Sequence, residues 1–189
     1  REAERLNLKL FYSVPDEVYV DGQINSKLPK YLDEAKKMGV THVKWNIGTF
    51  NGDLQEDKLK TLIDQGIAIS IENDQTQTSG TIKAINTFMK AINEADLDLG
   101  YVYDLGNWRF VGENEIEAAE LLKEYVRYIH VKDVRYENQK PQATGLDHGE
   151  IDWRNVLQIL PKDVPVAIEY PTTSNTEIIE AKELLEDEF

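Results

Sequence analysis

The 189-residue chain contains no cysteine. That excludes disulfides, a thiolate metal site and a cysteine nucleophile, and it fits a cytoplasmic protein. Long apolar runs are also missing, so no segment reads as a membrane span. The opening Arg1-Glu2-Ala3-Glu4-Arg5 has no hydrophobic stretch of a signal peptide behind it. Positive charge is scarce: 21 basic side chains face 35 acidic ones, a net charge of −14. Such a chain repels phosphate backbones at long range, which argues against general nucleic-acid binding and leaves room only for a local basic pocket. Internal linkers, low-complexity segments and strict repeats are absent too. What is present is ordinary for a folded domain. Hydrophobic residues make up 41%, and the length suits one sizeable core, so a single domain is expected.

Strand-like and helix-like stretches alternate along the chain. Strands are expected at 8–13 (ended by Pro15), 42–47, 67–72, 99–104, 126–132 and 164–169. Helices are expected at 26–38, where Leu28, Leu32 and Ala35 recur at helical spacing and Gly39 is the stop. Another spans 53–65, with Asp53 and Glu56 as a capping box and Gly66 as the stop. Further helices fall near 80–95, from about Asn114 with Glu117 completing a cap, near 152–160, and after Ser174 and Glu177. The stretch 134–150 reads as a long polar loop, a candidate lid. Strands alternating with helices imply a parallel sheet with right-handed crossovers. A barrel is the leading architecture and an open doubly wound sheet the alternative.

Four of the apolar runs end in a potential metal ligand: Glu72, Asp104, His130 and Glu169. Side-chain parity favours the barrel. Ile67, Ile69 and Ile71 share one face, while Ala68, Ser70 and Glu72 share the other. Val164, Val166 and Ile168 oppose Pro165, Ala167 and Glu169 in the same way. Both glutamates fall on the face with small residues, at the last position of the strand. In a parallel barrel that is the mouth, where the chemistry sits. A glutamate there is costly unless it is paired or binds metal, and pairing with a rim lysine is the competing explanation. Six strands are counted, whereas a full (β/α)8 barrel usually takes ~250 residues. The first residues look like a helix tail, so two βα units are expected before Arg1. Unpaired strand edges are an association hazard, and homo-oligomerisation is left open.

Five short words carry a family resemblance: Ile71-Glu72-Asn73-Asp74, Asp104-Leu105-Gly106-Asn107-Trp108, Ile129-His130-Val131-Lys132-Asp133, Gly149-Glu150-Ile151-Asp152-Trp153 and Ala167-Ile168-Glu169-Tyr170. In this order and spacing the chain resembles the sugar phosphate isomerases/epimerases, which are xylose-isomerase-like TIM barrels related to endonuclease IV. The resemblance implies a (β/α)8 TIM barrel of which about six βα units are present here. It also implies that Glu72, Asp104, His130 and Glu169 bind one divalent metal. Ketose 3-epimerases of the group carry a histidine three residues after the aspartate ligand, and Asn107 stands there in this chain.

Three carboxylates and an imidazole make a hard site suited to Mn²⁺ or Mg²⁺, with Zn²⁺ or Co²⁺ as alternatives. The expected activity is isomerisation or epimerisation of a small sugar or sugar phosphate by proton transfer next to a carbonyl, with Glu72 and Glu169 as the catalytic pair. Lys44, Asn107, Trp108, Lys132 and Asp133 are the candidate substrate-binding residues, with Asp133 also a candidate for orienting a ligand or the following loop. His148 in the polar stretch is a further residue able to approach substrate, and His42 reads as structural. Two other readings stay open: a non-catalytic sugar-binding barrel and an endonuclease IV-like repair enzyme. The latter chemistry uses many histidines, and this chain has three.

Overall fold

A computed structural model describes residues 2–188. Six strands run parallel and in sequence order: β1 (Phe11–Val20), β3 (His42–Gly48), β4 (Ala68–Glu72), β5 (Leu99–Asp104), β6 (Val126–Val131) and β9 (Val166–Ile168). A two-residue strand, β2 (Gln23–Ile24), adds antiparallel to the outer edge of β1. No switch point reverses the order, which rules out the doubly wound alternative. The sheet curls into an open half-barrel. Phe11 on β1 lies 4.6 Å, ring centre to ring centre, from Tyr128 on β6. In a flat sheet those strands, four steps apart, would be separated by about 19 Å.

The helices pack on the outer face. They are α2 (Leu28–Met38), α3 (Glu56–Ile63), α4 (Ile82–Glu94), α6 (Glu115–Leu122), α7 (Trp153–Ile159) and α8 (Asn175–Glu186), with a one-turn α1 (Glu2–Arg5) that buries nothing. Leu28, Leu32, Leu59, Leu62, Ile85, Phe88, Met89 and Leu122 belong to one core with Trp45, Ile47, Ile69, Ile71, Tyr101, Tyr103 and Ile129 from the strands. These strand residues are the alternate positions to those that face the interior, as the parity of the isoleucines required. Among the described residues no helix is long and apolar enough to cross a membrane.

Several local expectations are corrected. Pro15 does not end the first strand, which runs on to Val20 because the register with β3 shifts between Ser13 and Glu17. At such an irregularity a missing N–H is tolerated. Asp53 and Glu56 form no capping box. Asp53 Oδ1 accepts from the Gln55 amide in a turn, and α3 starts at Glu56 behind a left-handed Gln55 with no side-chain cap. A short helix, α5 (Asn107–Val111), follows directly on β5. The stretch 134–150 is no simple loop. It holds most of a β-hairpin, β7 (Asp133–Glu137) with β8 (Lys140–Thr144), closed by Asn138 and Gln139, both at positive φ. That pair of angles matches the two-residue turn whose twist suits a hairpin. Asn114 and Ser174 cap their helices as expected, each accepting from the Glu117 and Glu177 amide respectively.

Candidate metal centre

Register delivers the four strand-end residues to one face. Neighbours in a parallel pair point to the same side of the sheet. Glu72 is level with Val102, so Asp104, two residues on, shares its face. Asp104 is level with His130, and His130 with Ala167, which puts Glu169 on that face as well. One ligand atom from each of Glu72, Asp104, His130 and Glu169 lies within 4.8 Å of all the others. Glu72, Asp104 and His130 are buried, while the Glu169 side chain is 40% exposed at the mouth.

His130 Nδ1 stands 2.6 Å from Glu72 Oε1 and 3.2 Å from Glu169 Oε1. Two lysines join the carboxylates. Lys44 donates to Glu72 Oε2. Lys132 Nζ lies 2.6 Å from Asp104 Oδ2 and donates to Glu169 Oε2 at 3.0 Å. Glu72 Oε1, Asp104 Oδ2 and His130 Nδ1 are nonetheless buried without an aligned hydrogen bond. Polar atoms so placed are costly to the protein alone. A cation among them would satisfy all three, and the mixed oxygen and nitrogen donors fit a hard or borderline divalent ion. The residues present therefore fit a metal.

The family model described as the xylose isomerase-like TIM barrel matches residues 12–188. The chain belongs to the xylose isomerase-like TIM barrel family. Solved structures agree on the fold. The IolI protein, crystallised with a zinc atom, superposes with a TM-score of 0.67 at 18% identity, over 98% of this chain and 79% of that one. A D-allulose 3-epimerase from Methylomonas sp., in complex with D-allulose, gives 0.64 at 16% identity, over 99% and 79%. The probable 3-DHS dehydratase AsbF from Bacillus anthracis gives 0.65 at 12% identity, over 96% and 77%. A sequence search of curated proteins finds no match.

Electrostatics in this xylose isomerase-like barrel push neighbouring groups apart. Burial disfavours a charged His130, but the carboxylates of Glu169 and Glu72 outweigh it and hold the imidazole up at about 9. Burial raises Asp104 well above the usual carboxylate range; Lys132 opposes this, while Glu72 and Glu169 add to it. Glu169 is also penalised by burial, yet His130, Asp104 and Lys132 hold it well below that range. Lys132 resists its burial through Asp104 and Glu169 and rises to about 12.

Backbone and side-chain bonds hold the four clustered residues in place. Asp104 Oδ1 accepts from the amides of Gly106 and Asn107 at 3.0 Å each, which leaves Oδ2 for the cluster. Asn73, fully buried, stitches β4 to β5. Its Oδ1 accepts from the Asp104 amide and from Tyr101 Oη, and its Nδ2 donates to Asp104 O. Sequence reasoning assigned Asn73 no role, although it stands beside Glu72 in one of the matching words. Asn107 is buried too: its Nδ2 donates to Asn73 O and its Oδ1 accepts from Gln75 Nε2. Asp133 sits 1% exposed and accepts from the amides of Val134, Gly149 and Ile151, so its carboxylate anchors the segment after the hairpin. A Cβ at Gly149 would collide with that carboxylate. Trp108 is fully buried with its ring 5.7 Å from Tyr103, and it presents no surface to the mouth. His148 lines a separate cleft with Tyr170 and Glu177. Of the five substrate-binding candidates, only Lys44 and Lys132 reach the cluster with their side chains.

Proposed function

We propose that this barrel is a divalent-metal-dependent isomerase or epimerase acting on a small sugar or sugar phosphate. The carrying observation is the convergence of Glu72, Asp104, His130 and Glu169 with three buried ligand atoms left unsatisfied. Mn²⁺ or Mg²⁺ suits this set best, and Zn²⁺ or Co²⁺ is admitted by it. A metal held there supplies Lewis-acid polarisation of a substrate carbonyl or hydroxyl, which acidifies the neighbouring C–H. Glu169, ionised and partly open at the mouth, takes that proton as general base. Glu72, which approaches the same imidazole nitrogen from another strand, passes a proton from its Lys44 partner to the opposite face or the adjacent carbon, while the proton taken by Glu169 leaves to solvent at the mouth and Lys44 is reprotonated from solvent. Return to the opposite face is epimerisation, and return to the neighbour is isomerisation. Asp104 holds the ligand geometry through its bonds to the start of α5. Lys44 offsets the charge of Glu72. The neighbours named as a D-allulose epimerase and a zinc-bound IolI support the substrate class and the metal by analogy of fold.

The test is metal analysis of the purified chain, then a panel of sugars and sugar phosphates incubated in heavy water. Mn²⁺-dependent turnover with deuterium at the reacting carbon is expected. Turnover with no exchange across several substrates would overturn the proton-transfer step and favour a hydride shift on the same ligands. Cleavage of abasic DNA would favour the repair-enzyme reading. Sugar binding without turnover in the metal-loaded protein would favour a binding barrel.

A further inference from the structure

Lys132 occupies an unusual place for a lysine. It is only 5% exposed. It stands two residues beyond His130, so it points to the same interior face. Its aliphatic stem crosses Gly106: a Cβ at that position would overlap Lys132 Cγ and come within 3.0 Å of Cδ. The glycine therefore forms a groove through which the lysine reaches the cluster. The ammonium then ends between Asp104 Oδ2 at 2.6 Å and Glu169 Oε2 at 3.0 Å.

The lysine thus holds one oxygen of each of two carboxylates in the candidate cluster. Asp104 Oδ1 is committed to two backbone amides. Asp104 can thus offer only Oδ2 without breaking the start of α5. Glu169 Oε1 faces His130 Nδ1 at 3.2 Å and its Oε2 holds the ammonium at 3.0 Å, so the lysine takes up one of the two oxygens that Glu169 has to offer. An ammonium and a divalent ion cannot both sit at contact distance from the same oxygen without strong like-charge repulsion. The second lysine is placed differently: Lys44 approaches Glu72 from the β3 side and touches neither Asp104 nor Glu169.

We propose that Lys132 is a built-in competitor for the metal, filling the position between Asp104 and Glu169 when the ion is absent and yielding it when the ion binds. The proposal rests on the metal reading above and deepens it. It implies a cluster that keeps its shape without metal and an ion that exchanges readily, because part of the binding energy is used to displace the lysine.

The test is Mn²⁺ titration of the metal-stripped protein by calorimetry, with thermal melts of the stripped and saturated forms. Lys132→Met keeps the length of the side chain and removes the charge. It is expected to bind Mn²⁺ about tenfold tighter or more than the parent, since a unit charge ~3 Å from the ligand oxygens is gone. Its stripped form should melt lower, and the rise in melting temperature on saturation should be larger than in the parent. Gly106→Ala, which closes the groove against the lysine stem, should shift Mn²⁺ affinity the same way. It serves as the second variant if Lys132→Met does not fold. Affinity that is unchanged or weaker in the variant that folds would overturn the proposal, because a lysine that only supports the ligands would weaken binding when lost. Should the parent and both variants bind no Mn²⁺, the metal reading itself falls and this proposal with it.

Discussion

Asn73→Ala is the sharpest test of how this barrel positions the proposed metal ligands. The asparagine touches no substrate-accessible space, being fully buried. Its side chain makes three bonds: Tyr101 Oη donates to Oδ1 at 2.7 Å, the Asp104 amide donates to Oδ1 at 2.9 Å, and Nδ2 donates to Asp104 O at 2.9 Å. Alanine leaves three buried polar groups without partners. Each such group costs about 1–3 kcal/mol. Partial relaxation and sharing between the two Asp104 groups bring the expected total to about 3–5 kcal/mol, beyond what most single substitutions cost. For a domain of this length about 1 kcal/mol corresponds to 2–4 °C, so the melting temperature should fall by roughly 6–20 °C. Urea denaturation should report the same loss at unchanged m-value. Asn73→Asp keeps both acceptor bonds but sets a carboxylate oxygen against the Asp104 carbonyl, and it should fall between parent and alanine variant. Because Asn73 ties the residue after Glu72 to Asp104, Mn²⁺ affinity should drop about tenfold or more in the alanine variant, even under conditions where it is fully folded. A loss below about 1 kcal/mol with unchanged metal affinity would refute the reasoning.

Other expectations follow from the same geometry. Glu169→Gln and Glu72→Gln should each lower turnover by at least the ~10²–10⁴ typical of a lost general base, and deuterium exchange should fall in step. Asn107→Ala should have a milder effect on turnover, since its side chain bonds to Asn73 O and Gln75 rather than reaching the cluster. The pH dependence follows from His130, raised to about 9 in the metal-free fold. The sign is that of a raised folded pKa: its stabilising ion pairs are complete below the ordinary imidazole value near 6.5 and are lost as pH rises through about 9. The metal-free protein should thus melt lower at pH 10 than at pH 7. Metal binding needs the neutral ring, so at pH 7 it should release a proton and show an enthalpy that depends on the buffer's ionisation heat. Equal enthalpies in phosphate and Tris would count against a protonated His130. Asp133→Ala should cost about 2–4 kcal/mol by urea denaturation, because it strands the amides of Val134, Gly149 and Ile151. Proteolysis near residues 145–152 should accelerate with it.

Periodicity along the chain was enough to determine the class of fold and to place Glu72, Asp104, His130 and Glu169 at strand ends. Apolar alternation in 67–72 and 164–169 put Glu72 and Glu169 on an interior face, and a parallel register keeps that face common to every strand. These are short-range facts, carried by residues two apart. What failed was chemistry set by long-range partners. Pro15 sits inside β1 because the register with β3, 30 residues away, slips at that point. Asn138-Gln139 is not the usual hairpin pair, so the hairpin was hidden from turn statistics although its strands alternate. Trp108 read as a substrate contact from its place after a strand end, and Asp133 as a substrate contact or as the residue that orients the following loop, which is the role its bonds support. Only the packed structure shows one sealed against Tyr103 and the other spent on three backbone amides. Asn73 and the groove at Gly106 could not be read from the sequence at all. The roles of an asparagine and a glycine depend on what stands across the strand, and the chain meets Asp104 and Lys132 there only once the neighbouring strands have paired.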